Sequence, residues 1–274
     1  MRYFTARRWL AGIVTAIIAV VLALLLLGYS LALHHAAYLS GWMLLAVVLF
    51  LASYNVRKKL TYPPLLKSAV WLQLHVYGGL LLIVLFFLHT GFRLPSGGFE
   101  SLLALLVMSV VVSGVIGLVL SRVVPPRLAV RGEEIIFERI AMFRRQLRGQ
   151  AEQLVVDSVE QSNMSTLADF YDRRLADYFR GPRNAWRHLG QSTRPLNQLI
   201  NELRALERYL STQERQTAAE LAELIETKDN LDYCYAMQGA LKCWLFVHIP
   251  LTYVLLPFVV VHVVLVRAFS GSWS

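Results

Sequence analysis

Residues 75–89 read HVYGGLLLIVLFFLH, and residues 248–262 read HIPLTYVLLPFVVVH. Each stretch is uncharged and apolar between two histidines that lie 14 residues apart. In an α-helix, 14 residues return to within about 40° of the starting direction and rise about 21 Å. Each helix would therefore present two imidazoles on one face, one in each half of a bilayer core about 30 Å thick.

The apolar character extends over five segments that predict membrane-spanning helices. They cover about residues 9–33, 38–55, 65–92, 99–124 and 240–266. Each is close to the length of about 20 residues that a helix needs to cross a bilayer. The first segment is longer than the apolar core of a signal peptide, so we expect an uncleaved anchor. The predicted fold class is all-α, a polytopic membrane helix bundle of about five spans with a helical cytoplasmic insert.

The spans divide the chain into three predicted parts. Residues 1–124 hold spans one to four, residues 125–239 form the insert, and residues 240–274 hold span five and a short external tail. Pro125–Pro126 predicts the end of span four, because proline cannot donate a helical hydrogen bond.

Helical periodicity predicts the structure of the insert. It indicates helices over residues 133–161, 165–180, 196–210 and 213–232, with a loop over 181–195. Ser165 or Thr166 is the expected N-cap of the second helix and Thr212 that of the last, which we expect to continue towards span five. The apolar stripe of the second helix comprises Leu167, Phe170, Tyr171, Leu175 and Tyr178.

The net charge of +9 comes from the flanks of the spans, since residues 122–232 hold 17 basic and 17 acidic residues. This distribution argues against nucleic-acid binding. The positive-inside rule then places the N-terminus and the insert in the cytoplasm. Spans three and five run parallel in this topology, so His75 and His248 lie in the inner half and His89 and His262 in the outer half. The expected location is a membrane, most simply the bacterial inner membrane.

The four span histidines carry the functional prediction, because ionisable groups inside a bilayer usually mark function. Imidazole is an axial ligand of haem iron, and two imidazoles fill both axial positions. A proton or divalent-metal pathway is the competing interpretation, although neither histidine-bearing stretch contains Asp or Glu. The other histidines have simpler interpretations: His34 and His35 as interfacial residues, and His188 as an ordinary residue of the insert.

At this point the chain resembles the bis-histidine, two-haem membrane cytochromes b. It is similar to the cytochrome b of quinol–cytochrome c reductases and to the transmembrane ferric reductase and NADPH oxidase group. The resemblance covers residues 9–124 and 240–268 and rests on the four histidines. It implies two haem b groups, with the inner iron between His75 and His248 and the outer iron between His89 and His262. The sequence departs from the ferric reductase group in having no flavin or nicotinamide domain after the last span. It departs from the quinol–cytochrome c reductase subunit in its large cytoplasmic insert and in lacking a recognisable quinol-site motif.

Further residues are candidates for cofactor binding. Gly78 and Gly79 lie one turn past His75, where they could admit a porphyrin or simply allow close helix packing. Arg93 lies one turn beyond His89 and could pair with haem propionates or extend to the lipid headgroups. Lys67 and Lys242 are weaker candidates for the inner propionates.

The sequence therefore favours an electron-transfer subunit over a complete enzyme. We expect contact with membrane lipid and a hetero-oligomeric complex with redox partner proteins, such as a multihaem cytochrome, and a quinone is a further candidate cofactor. The insert would serve as a docking surface or as a structural element. Two alternatives stay open: a self-contained quinone or ferric-iron oxidoreductase, and a non-redox metal or proton transporter or assembly scaffold.

Overall fold

The computed structural model describes residues 2–31, 36–59, 67–93, 95–130, 135–162 and 165–270. These residues form helices and connecting turns and contain no strand, which confirms the predicted all-α class. The α-helices are α1 Arg2–Leu31, α2 Ala36–Lys59, α3 Ser68–Thr90, α4 Gly98–Val130, α5 Phe137–Ser162, α6 Thr166–Phe170, α7 Ala176–Arg180, α8 Ala185–Leu189, α9 Arg194–Leu206 and α10 Thr212–Ser270. A π-helical turn, Tyr171–Leu175, joins α6 to α7, and a 3₁₀ turn, Glu207–Tyr209, follows α9.

The chain divides into two compact units. The membrane unit comprises residues 1–118 and 244–274, and the insert unit comprises residues 119–243. Helices α1, α2, α3, α4 and α10 are each long and apolar enough to cross a membrane. Many of their large apolar side chains are exposed, as in Leu10, Ile17 and Phe246, and lipid would cover them. This pattern is that of an integral membrane protein in contact with lipid.

Four helices share the core of the membrane unit. Val48 of α2, Leu82 of α3, Val107 of α4 and Leu255 of α10 are buried against one another. Partly buried apolar side chains of the same four helices pack against this cluster, among them Leu44, Phe86, Leu103 and Val259. The packing therefore brings the two histidine-bearing helices, α3 and α10, into one bundle.

Helix α4 does not end at Pro125–Pro126, so the predicted break at these prolines is wrong. The helix continues to Val130. Val124, directly before the prolines, is buried in a cluster with Tyr233 and Met237 of α10. This burial offsets part of the cost of the hydrogen bonds that two prolines remove from the helix.

The insert unit has its own apolar core, and the predicted stripe on residues 165–180 is buried in it. Ser211, and not the predicted Thr212, caps α10: Glu214 N–H donates to Ser211 Oγ, and Ser211 N–H donates to the Glu214 carboxylate. This reciprocal arrangement is a capping box. The predicted loop over 181–195 contains the short helix α8. Helix α10 continues without interruption through Asp232 into the apolar segment, as expected from the sequence.

Candidate functional site

The structure brings the four span histidines together in two pairs. His75 of α3 faces His248 of α10, with ring centroids 6.4 Å apart and ring planes at 83°. His89 of α3 faces His262 of α10, again at 6.4 Å, with planes at 88°. The two pairs are separated by 14 residues on each helix, which corresponds to about 21 Å along the axis.

The centroid separation can be compared with that of two imidazoles bound to one metal ion. A metal–imidazole nitrogen bond is about 2.0 Å long. A five-membered ring with bonds of about 1.33 Å has its centroid about 1.1 Å from each atom. Two ligands on opposite sides of one iron would therefore have centroids about 6.3 Å apart. The observed 6.4 Å in both pairs fits a bis-imidazole iron site.

His89 is oriented by the backbone of α2. Its Nδ1 lies 3.0 Å from the carbonyl oxygen of Ala37 and 3.1 Å from the hydroxyl of Ser40. A carbonyl can only accept, so Nδ1 carries the proton in this contact and Nε2 keeps its lone pair. Gly41 lies against the same ring, and a Cβ at this position would be 3.1 Å from Cε1. These contacts are the outer-shell support typical of metal-binding histidines.

His248 is oriented by α4 and by its own helix. Its Nδ1 lies 3.2 Å from the hydroxyl of Ser113. The indole of Trp244 stacks on the imidazole at a centroid distance of 5.3 Å, and its Nε1–H donates to the Ser113 carbonyl oxygen at 2.7 Å. A Cβ at Gly114 would lie 3.8 Å from Cε1 of His248, which is an ordinary contact distance.

His75 differs from its partner in its polar contacts. Its Nδ1 is buried and makes no hydrogen bond of good geometry among the described residues, although the ring interacts with the backbone of Leu51. The ring packs against Tyr54 of α2 at a centroid distance of 4.9 Å. A buried nitrogen without a good hydrogen bond is costly, unless a group absent from the protein chain satisfies it.

A cavity of about 560 Å³ adjoins the His89–His262 pair. Its walls are mainly apolar and come from α2, α3, α4 and α10, and Arg93, Glu100 and Arg267 also line it. Cavities that hold cofactors have volumes of about 300–1,000 Å³ and combine apolar walls with a few polar groups. The cavity therefore suits a largely apolar molecule, and its two arginines outnumber its one glutamate and favour anionic groups on that molecule.

Arg267 is a candidate binding residue that the sequence did not single out. Its guanidinium lies over the rings of Trp42 and Tyr38, at 5.5 and 5.9 Å from their centroids. These aromatic contacts hold a cation beside the same cavity that Arg93 lines. Its position after the last histidine was visible in the sequence, but its closeness to Arg93 depends on how α3 and α10 pack.

The other residues that the sequence suggests for cofactor binding are two glycines of α3 and two lysines near the ends of the spans. A Cβ at Gly78 would lie 3.1 Å from Leu51 of α2, which indicates close helix packing there, and Gly79 faces open space. Lys67 is exposed directly before α3. Lys242 bonds to Glu138, and this hydrogen bond lowers the pKa of the Glu138 carboxyl.

The other histidines are separate from these pairs. His34 and His35 lie outside the described residues. His188 is buried in the insert unit beside Asp229.

The donor set indicates which metal group each pair could hold. Within the described part of the chain, no group of three or more His, Cys, Asp or Glu side chains is arranged to bind a metal ion. A zinc site needs three or four protein ligands. Haem iron needs only two axial ligands, because the porphyrin supplies the other four. The residues present therefore fit haem better than a bare divalent ion.

Comparisons of the chain with known protein families, with curated proteins and with solved structures give no match.

Proposed function

We propose that the chain is a membrane-integral di-haem cytochrome b subunit. It would conduct electrons across the membrane between a quinol or cytoplasmic donor and an external redox partner. The observation that carries this proposal is the 6.4 Å separation of the imidazoles in both pairs. Two axial imidazoles leave no open position on the iron, which suits electron transfer more than oxygen chemistry.

The residues have distinct roles in this proposal. His75 and His248 would hold one haem, and His89 and His262 would hold the other. Arg93 and Arg267, which both line the cavity beside the second pair, would neutralise the propionates of the second haem. The apolar walls exclude water, which strengthens these charge contacts. Haem b, when bound, supplies reversible one-electron exchange between ferric and ferrous iron.

The proposed orientation places the N-terminus in the cytoplasm. Its support is the distribution of the ten basic residues that flank the spans, since eight of them then lie on the cytoplasmic side. The His75–His248 pair would lie in the cytoplasmic half of the bilayer. The His89–His262 pair would lie in the external half, close to an external acceptor such as a multihaem cytochrome.

The proposed docking surface for a cytoplasmic donor is centred on Trp186. This side chain is 86% exposed on α8, while the neighbouring Arg183 N–H donates to the buried Asp232 and fixes the segment. Residues 178–201 contain four arginines and no acidic residue. Exposed tryptophan and arginine often dominate protein interfaces, and the positive charge would attract an acidic partner.

Stopped-flow reduction tests this surface. Combining Trp186→Ser with Arg187→Glu should slow reduction by an acidic protein donor such as a flavodoxin, and leave reduction by dithionite unchanged. Tyr209→Ser, which removes another exposed aromatic side chain, is the control. Equal rates for all three proteins with the flavodoxin would refute the docking surface.

A reduced-minus-oxidised visible spectrum of the purified protein, with iron and haem per chain, tests the main proposal. We expect a b-type α-band and two haems. His75→Ala and His89→Ala should each remove one haem and one midpoint potential, because the residues belong to different pairs. His188→Asn is the control and should retain both. Absence of the α-band, or loss of both haems from either single variant, would contradict the proposal.

A further inference from the structure

Ser113 and Gly117 of α4 and Trp244 of α10 form a compact assembly beside the imidazole of His248. Trp244 Nε1–H donates to the carbonyl oxygen of Ser113, and the hydroxyl of Ser113 lies 3.2 Å from Nδ1 of His248. The indole also stacks on the imidazole with an interplanar angle of 26°. The indole and the hydroxyl therefore both contact the same ring, and Ser113 links them to each other.

Gly117 makes room for this assembly. A Cβ at this position would lie 1.9 Å from Cζ2 and 2.2 Å from Cε2 of Trp244. No side chain can occupy that space while the indole stays in place. The indole is therefore seated directly on the backbone of α4, one turn from the Ser113 carbonyl that accepts its N–H.

We propose that Ser113 and Trp244 form a clamp that supports the Nδ1–H tautomer and sets the ring plane of His248 as a haem ligand. Both are positioning residues, and this inference rests on the proposed di-haem function. The clamp acts on the His75–His248 site alone, because it contacts neither histidine of the other pair.

Ser113 supports the tautomer that a haem ligand needs. A hydroxyl can donate or accept, but with Nε2 bound to iron, Nδ1 would carry the proton and donate to the Ser113 oxygen. A hydrogen-bond acceptor on Nδ1–H also makes the imidazole a more basic ligand, which favours ferric iron. Removing the acceptor should therefore raise the midpoint potential of this haem.

Trp244 sets the ring plane. It stacks on His248, while Tyr54 packs against His75, and the two imidazole planes end at 83°. Perpendicular imidazole planes interact almost equally with the two iron d orbitals of π symmetry, so these orbitals stay close in energy. Ferric low-spin iron with such orbitals gives a strongly anisotropic EPR signal, whereas parallel planes separate the orbitals and give a rhombic signal.

Two substitutions separate the two parts of the clamp in the full-length haem-loaded protein. Ser113→Ala should raise one midpoint potential and leave the other unchanged, and Ser113→Thr should restore the original value because it keeps the hydroxyl. Trp244→Leu should shift one of the two low-spin EPR signals towards the rhombic form, and Trp244→Phe should shift it less because a ring remains.

Matched controls lie in the same unit. Ser109 is one turn before Ser113 on α4 and donates to the Leu105 carbonyl oxygen, so Ser109→Ala should change neither potential. Trp9 is an exposed tryptophan of α1, a helix whose described residues include no histidine, so Trp9→Leu should leave both EPR signals unchanged.

Unchanged potentials in Ser113→Ala together with unchanged EPR signals in Trp244→Leu would overturn the clamp. A change of both haems by equal amounts would also overturn it. A wild-type protein without haem contradicts the proposed function instead, so the two failures are distinguishable.

Discussion

Gly41 and Gly114 face the rings of His89 and His248 and allow the same substitution to be compared at two distances. A Cβ at Gly41 would lie 3.1 Å from Cε1 of His89, whereas a Cβ at Gly114 would lie 3.8 Å from Cε1 of His248. Ordinary Cβ contacts begin near 3.4 Å. Gly41→Ala therefore forces the imidazole or the backbone to yield by at least about 0.3 Å, and Gly114→Ala requires no movement.

The expected loss in Gly41→Ala can be estimated from the role of the displaced ring. His89 is held by the Ala37 carbonyl and by Ser40, and moving the ring disturbs both contacts. Changes in the groups that orient a metal ligand typically weaken metal binding by about 10- to 100-fold. Alanine is favoured over glycine in a helix by about 1 kcal/mol, so lower helix stability would not explain a loss.

The assay is haem per chain after purification, followed by a redox titration that separates the two potentials. We expect Gly41→Ala to lose part of one haem, the one that is also lost in His89→Ala, and Gly114→Ala to retain both. Full occupancy with unchanged potentials in Gly41→Ala would refute the steric reasoning. An equal loss in Gly114→Ala would refute it as well, since the structure gives that position room.

Three further predictions concern the insert unit. Asp232→Ala should cost about 3–5 kcal/mol of local stability, because it removes the carboxylate that the buried Lys228 ammonium, Arg144 and the Arg183 N–H all contact. Faster hydrogen exchange in α5 and α7 would show this loss. Lys228→Met combined with Asp232→Leu should restore part of the protection, since Arg144 would still lack its carboxylate partner. Ser211→Ala should cost about 1 kcal/mol through loss of the capping box, and Thr212→Ala should cost less, as thermal melting of the helical signal would show. Burial raises the pKa of Tyr171 to about 12, so its stabilising contribution is complete below pH 10 and is lost as the pH rises through 12. Tyr171→Phe should flatten that decline in melting temperature, and an unchanged slope would contradict it.

The sequence was sufficient to predict the helical spans because their apolar segments have the length of a bilayer core. The histidines on α3 and α10 were predicted to meet in pairs from their equal spacing, and the structure places their rings opposite each other. The surroundings of each ring were not predictable. Ser113, Ser40 and Gly41 reach the histidines only through the register of neighbouring helices, and a single sequence carries little information about that register.

Local signals failed where tertiary packing outweighed them. Pro125–Pro126 predicts a helix end from backbone chemistry alone, but α4 continues to Val130, and the buried contacts of Val124 with α10 help to stabilise it there. The sequence predicts Thr212 as the N-cap of α10, one residue after the true cap Ser211, because serine and threonine are both good capping residues. Only the contact with Glu214 identifies Ser211.

The pairing of α3 with α10 also constrains how the protein is made. Each pair joins histidines that are 173 residues apart in the chain. A ribosome adds about 5–20 residues per second, so about 10–35 seconds pass between synthesis of the first and second histidine of each pair. During that interval His75 and His89 stand in the membrane without their partners. Any metal group that needs both ligands must therefore be inserted late, after the last helix has been made, and a chain truncated before α10 would offer only half of each site.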